Sequence, residues 1–314
     1  MKKFIRISLS FLVTFVVLHL SAQQNSQYSQ YLYNKLLINP AYAGAKDYLS
    51  VDMLYRAQHT KIDGSPHTMT LAAHSPLKNN SYALGGSLGI ESIGPYKTFH
   101  IVGDFAYRIP IQKGRFSVGI NAGIQNYFTD YSELDAFQDG DAAYADAGKT
   151  TSLPIIGFGV YHQVERWAWG ISAPYILNGK VSFSGDDEVI QLRNHYFGFV
   201  EYLQPIKENL HIKPSLLLKM NHGAPVNFDI NINAIYKSML WFGVGYRSEN
   251  SFVFSTQYIF NDFVQHTKPF QFRIGYAFDL ANNNIRNAVG GTHEIVLGID
   301  FNHKPEKIKS PRFF

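Results

Sequence analysis

The chain has 314 residues and no cysteine, which excludes a disulfide framework and any thiolate-based metal or nucleophile chemistry. Its formal charge of +4 comes mostly from Lys2, Lys3 and Arg6; without those three, 25 of the 28 basic residues face 24 acidic ones, a balance that gives no argument for nucleic acid or an acidic substrate. Aromatic residues reach 15%, with 24 Phe and 20 Tyr, at a mean hydropathy of only -0.13, and beyond the first residues no apolar run approaches the roughly 20 needed for a membrane-spanning helix.

In chain order, the first element is a leader. Lys2, Lys3 and Arg6 precede an apolar run from Ile7 to Leu20, which ends on Ser21 and Ala22. A short basic stretch, a short apolar core and small residues at its end predict a secretory signal peptide over 1–22. Residues 23–46 lack the alternation of the later chain and form an N-terminal non-barrel segment.

From residue 47 the periodicity is two. Over 270–280, Phe270, Phe272, Ile274, Tyr276, Phe278 and Leu280 fall on one parity, opposite Gln271, Arg273, Gly275, Ala277 and Asp279. Phe228, Ile230, Ile232, Ala234 and Tyr236 alternate with Asp229, Asn231 and Asn233, with Ile235 as an exception. Phe116, Val118, Ile120, Ala122 and Ile124 alternate with Ser117, Gly119, Asn121, Gly123 and Gln125. Such alternation means strands with two chemically distinct faces.

Strands are placed near 47–57, 66–75, 80–91, 98–109, 115–129, 154–163, 166–173, 192–203, 209–221, 226–237, 240–248, 251–260, 270–280 and 293–301. The expected fold is all-β: a single transmembrane antiparallel β-barrel of about 14 strands over 47–301. Its N-terminal segment is periplasmic or plugs the lumen. With the N-terminus on the periplasmic side, the two longest connections, around 130–153 and 174–191, both fall outside, while turns near 110–114 and 164–165 fall inside. That asymmetry follows outer-membrane barrels. Gly85, Gly86, Gly89, Gly119 and Gly123 fit close backbone approach and curvature. Residues 302–314 form a basic periplasmic tail with Lys304, Lys307, Lys309 and Arg312.

There is no His-Glu-x-x-His, and Gly148-Lys149-Thr150 lacks the first glycine of a Gly-x-x-x-x-Gly-Lys-Ser/Thr phosphate loop. Gly85-Gly86-Ser87-Leu88-Gly89 has the Gly-x-Ser-x-Gly spacing but lies inside an alternating strand and opens no helix, so strand curvature is its reading. His74 beside Ser75, and His293 beside Glu294, are strand neighbours that point to opposite faces and cannot meet. Asp139, Asp141 and Asp146 lack EF-hand spacing and read as a solvated acidic loop. Arg56, Arg247 and Arg273 are expected in the lumen, paired with carboxylates such as Asp104 and Asp229. No enzyme activity and no cofactor are expected.

Gln27-Tyr28-Ser29-Gln30-Tyr31-Leu32-Tyr33-Asn34, followed by Asn39-Pro40-Ala41-Tyr42-Ala43-Gly44, resembles the opening of the PorP/SprF family. Those are outer-membrane proteins of the Bacteroidetes type IX secretion and gliding-motility system. Tyr55-Arg56, Gly64-Ser65-Pro66-His67-Thr68, Gly243-Val244-Gly245-Tyr246-Arg247, Gly275-Tyr276-Ala277-Phe278-Asp279 and Gly291-Thr292-His293-Glu294-Ile295 continue the likeness, as does the ending Lys307-Ile308-Lys309-Ser310-Pro311-Arg312-Phe313-Phe314. His59 departs from the aromatic that many members carry.

The resemblance implies a non-enzymatic component of the bacterial outer membrane that helps export or retain a large secreted adhesin by binding its C-terminal domain. Its partners would be that cargo, the type IX machinery and outer-membrane lipid, with no nucleic acid. Candidate partner-binding residues are Asn39, Pro40, Tyr42, Gly44 and Arg56, with Lys309 and Arg312 in the tail; a lumen plug is the other use of the first four. The alternative function is a porin or transporter for small solutes.

Overall fold

The computed structural model describes residues 31, 33–77, 80–129, 150–177, 179–181, 190–192, 194–221, 224–260, 270–282, 289–301 and 314. The wall strands are β1 (Leu49–Ala57), β2 (His67–Pro76), β3 (Tyr82–Ile93), β4 (Tyr96–Ile111), β5 (Gly114–Thr129), β6 (Thr150–Val164) and β7 (Trp167–Tyr175). A short hairpin, β8 (Gly179–Val181) with β9 (Ile190–Leu192), stands apart from the wall. The wall resumes with β10 (His195–Tyr202), β11 (Gln204–Lys207), β12 (Leu210–Asn221), β13 (Asn227–Tyr236), β14 (Leu240–Arg247), β15 (Ser251–Phe260), β16 (Phe270–Ala281) and β17 (Thr292–Phe301).

Each wall strand pairs antiparallel with its neighbours, and the sheet closes where β1 meets β17, from Leu49↔Phe301 to Ala57↔His293. β10 and β11 both pair with β12 and form one wall strand interrupted at Leu203, so the cylinder has 14 strands. Closure follows from the solvent: hydrocarbon offers no partner to an unpaired backbone amide, so a sheet in a membrane must have no edge.

The two strand faces are inverted relative to a soluble protein. On β4, Val102, Asp104, Ala106 and Arg108 are buried, while Ile101, Phe105 and Tyr107 are exposed. Ile120 and Ile171 are each 58% exposed, whereas Lys213 and Asp300 are fully buried inside. Aliphatic residues such as Ile101, Ile120, Ile171 and Leu297 band the middle of the outer wall. Aromatic pairs lie towards its ends: Trp167 with Tyr202 (ring centroids 4.4 Å) and Tyr82 with Tyr107 (5.3 Å) at one end, Tyr246 with Phe252 (5.5 Å) at the other. Amphipathic rings sit at headgroup level, so the bands mark a membrane slab.

The start of β1 and the end of β17 share one mouth with the short turns 112–113, 165–166 and 208–209. Thr129, Thr150, Tyr175 and His195, the strand ends that flank the two longest connections, lie at the opposite mouth. By the short-inside, long-outside rule the first mouth is periplasmic. Of the expected long connection at 174–191, Pro174 and Tyr175 belong to β7, and the rest holds β8 and the start of β9, which sequence reasoning did not place. β7 also departs from alternation: Ala173 and Pro174 are both buried, and the register with β10 shifts between His195 and Phe197. This is a β-bulge, a position that tolerates a proline with no amide to donate.

Candidate functional site

The lumen is occupied by the chain's own residues 33–48. Two asparagines shape this segment. Asn34 caps the single 3-10 turn Lys35–Leu37 by accepting from the Leu36 N–H (3.0 Å), and Asn39 caps Pro40–Tyr42 by accepting from the Ala41 N–H (2.9 Å). Both caps are extended, and Pro40 stands at the first helical position, where a missing N–H costs nothing. Gly44 then reverses the chain at φ +71°, and a Cβ there would lie 2.6 Å from the Ala83 Cβ, so both conformation and space demand glycine.

Contacts reach the wall on opposite sides. Asn39 Nδ2 donates to the Val160 carbonyl (2.9 Å), the Ser172 hydroxyl to the Ile38 carbonyl (2.6 Å), and the Gly44 N–H to His74 Nδ1 (3.1 Å). Asn34 Nδ2 donates to Asp52 (2.8 Å) and Asn231 Nδ2 to the Tyr31 hydroxyl (2.9 Å). Residues of β1, β2, β6 and β7 are thereby tied to this segment, and β13 to Tyr31 just ahead of it. Gly119 permits the closest approach: a Cβ there would run into the Ala41 backbone nitrogen. Tyr31, Leu36, Tyr42 and Ala43 pack with wall residues Tyr161, Phe199, Leu217, Ile235 and Trp241 in the buried apolar cluster.

Three ion-pair groups anchor the segment. Lys35 reaches Glu201 at 3.1 Å, and Lys213 reaches the same carboxylate at 3.5 Å. Lys46 donates to Ser50 (3.0 Å) and lies 3.8 Å from Asp300, which Arg273 holds at 2.8 Å; burial, then the charge of Arg273, lowers the Lys46 pKa from its ordinary value. Asp47 takes Arg108 (2.6 Å) and Arg115. Nearer the long-loop mouth a separate network runs along the wall: Glu294–Arg56 (2.9 Å), Arg56–Asp279 (2.7 Å), Asp279–Arg247 (3.0 Å), Arg247–Asp229 (3.5 Å) and Asp229–Lys219 (2.9 Å). Buried charges persist in this way only when paired.

The structure therefore brings Asn39, Pro40, Tyr42 and Gly44 together inside the barrel and puts Arg56 in the upper network, separate from them. Lys309 and Arg312 lie outside the described residues, as do residues 1–22 and Asp139, Asp141 and Asp146. Arg247 pairs with Asp229, but Asp104 is not an ion-pair partner of the three arginines; Arg56 and Arg273 instead use Glu294, Asp279, Asp52 and Asp300, which their registers place closer. His74 faces the lumen while the Ser75 hydroxyl turns to the Pro76 carbonyl; Glu294 binds Arg56 inside while His293 meets Tyr276 outside. Lys35, Lys46, Glu201 and Lys213 escaped sequence reasoning, although Glu201 and Lys213 were readable as charged residues on inward parity; Asn34 and Phe314 entered it only within the family likeness, with no role assigned. Among the described residues no group of three or more His, Asp or Glu could hold a metal ion.

Among the described residues, a recess lies on either side of the segment. At the short-turn mouth a cavity of about 550 Å³ is lined by Asp47, Arg108, Arg115, Tyr161, Leu203 and Phe314 among others. At the long-loop mouth a smaller one, about 80 Å³, has Tyr31, Leu37 and Ile38 among its lining, with Glu91, His100 and Asp229.

The family model described as "Type IX secretion system membrane protein PorP/SprF" matches residues 20–299. No curated protein sequence matches. Among solved structures, the chain is similar to a Pseudomonas aeruginosa FadL homologue at 11% identity, over 87% of this chain and 94% of that one, with a TM-score of 0.50. It also aligns with the Acinetobacter baumannii outer membrane protein Omp33 at 11% identity, over 82% and 99%, with a TM-score of 0.44. At such identities the likeness to the FadL homologue concerns the fold, an outer-membrane barrel, and carries no substrate with it.

Proposed function

The chain belongs to the PorP/SprF family of type IX secretion system membrane proteins, and from that premise we propose that it holds a secreted adhesin at the cell surface by binding the cargo's C-terminal domain. Membership makes it an outer-membrane component associated with the secretion machinery. The finer step, from component to cargo holder, is supported by one observation above all: the lumen is crossed by residues 33–48, which bond to strands on opposite walls. A barrel that passes small solutes needs a continuous aqueous path, as porins have. A barrel filled by its own chain is suited to act as a rigid platform.

On this reading the long-loop mouth presents the docking surface. Its wall is stiffened by the Arg56–Asp279–Arg247–Asp229 network, and rigid support lowers the ordering cost of binding. Asn39, Pro40, Tyr42 and Gly44 act as the lumen plug, and Arg56 positions the wall without touching the partner.

The deciding experiment compares the surface proteome of a strain lacking this gene with its parent. The expected result is loss of one large surface protein with unchanged uptake of small hydrophilic dyes. Loss of dye or solute uptake with an intact surface proteome would overturn the reading in favour of a porin.

A further inference from the structure

We propose that the cavity at the short-turn mouth is a binding site for an acidic peptide segment of a periplasmic protein. The inference rests on the orientation of the barrel and is independent of what its outer mouth holds.

The cavity, about 550 Å³, falls in the size range of built ligand sites. Arg108 is one of its lining residues and is 2% exposed. One guanidinium nitrogen donates to Asp47 at 2.6 Å, while the other, Nη1, is buried and has no hydrogen-bond partner among the described residues. A buried cationic donor left unmet is costly, and a carboxylate oxygen is the acceptor that meets it best.

The rest of the lining has the same sense. Lys113 in the β4–β5 turn, Arg115 at the start of β5 and Arg166 in the β6–β7 turn join Arg108, against Asp47 and Glu165. Asp47 is already shared by Arg108 and Arg115. Lys113 and Arg166 make no ion pair among the described residues. Beside this basic rim, Val164, Leu203, Pro205 and Phe314 supply an apolar flank. A free anion has no use for that flank. A peptide carrying carboxylates and an apolar side chain satisfies both, and the basic rim steers it in from the periplasm.

The test uses the full chain in lipid nanodiscs and a fluorescein-labelled peptide of six glutamates followed by one phenylalanine, read by fluorescence anisotropy. Saturable binding is expected. The double variant Lys113→Ala/Arg166→Ala, altered only in exposed turns, is expected to weaken it at least tenfold. Arg108→Lys, which keeps the charge but loses the second donor, is expected to weaken it several-fold while heat-modifiable migration on gels stays that of a folded barrel. Equal binding by the double variant would place the peptide elsewhere on the chain and overturn the proposal. So would absence of binding to the unaltered protein, or complete displacement by inorganic phosphate at equal charge concentration.

Discussion

Tyr42 and Phe314, 272 residues apart in sequence, meet inside the barrel: the Tyr42 hydroxyl donates to the Phe314 carbonyl at 3.2 Å. Tyr42 is fully buried and packs edge-on to Tyr161, with centroids 5.4 Å apart. Replacing it by phenylalanine removes one hydrogen bond worth about 0.5–1.5 kcal/mol, whereas Tyr42→Ala also empties a cavity, at about 3–5 kcal/mol by analogy with other buried aromatics. Hydrogen exchange of residues 33–48 is expected to rise slightly in Tyr42→Phe and strongly in Tyr42→Ala, with the strand amides still protected. Equal exchange in both variants would show that Tyr42 does not anchor the segment.

Gly119 gives the complementary test from the wall. A Cβ there would run into the Ala41 backbone nitrogen, which has no flexible end to move aside. Gly119→Val is expected to displace the segment, with overpacking costs of about 1–3 kcal/mol, and to expose residues 33–48 to limited proteolysis from the short-turn mouth. The barrel itself should still show heat-modifiable migration. Unchanged protease resistance would mean that the close approach is not a real constraint.

Glu201 is the carboxylate that the Lys35 and Lys213 ion pairs share. Glu201→Gln takes that common counter-charge away from two buried ammonium groups and is expected to cost about 3–5 kcal/mol. Lys213→Met leaves a one-to-one pair and should cost much less. Guanidinium unfolding followed by tryptophan fluorescence, which includes Trp241 beside Lys213 at 5.0 Å, reads the difference. An order reversed from this would contradict the buried-charge account.

The strand wall was legible in the sequence because lipid on one side and a polar lumen on the other impose period two on every strand. Even an apparent flaw carried information. Ile235 breaks the polar parity of β13, and it is fully buried against the lumen segment, in one cluster with Tyr33 and Trp241. Leu217 and Phe199 belong to the same group. Apolar residues on the inward parity thus mark where the wall meets its contents. The destination of Asn39, Pro40, Tyr42 and Gly44 was not legible, because a capped turn with a buried tyrosine serves a plug and a partner interface equally well. The bulge at Ala173–Pro174 and the β8–β9 hairpin escaped for a different reason: each is a local irregularity of one to three residues, below what periodicity resolves.

The lipid face makes its own prediction. Ile120 points outward from the middle of β5, and an arginine there would lie in hydrocarbon, costing about 2–4 kcal/mol. Ser117 lies on the opposite parity and is buried in the lumen. Ile120→Arg is expected to lower the yield of folded protein in liposomes, while Ser117→Thr should not. A neutral Ile120→Arg would place that face in water.

On the function proposed above, the barrel is closed by its own N-terminal segment and works by binding rather than by passing solutes. Single-channel recording of the purified full chain in planar bilayers tests this most directly, with a variant lacking residues 31–46 alongside. No sustained conductance is expected from the full chain, and stable open levels are expected from the shortened one. Steady ohmic conductance of equal size in both would contradict it.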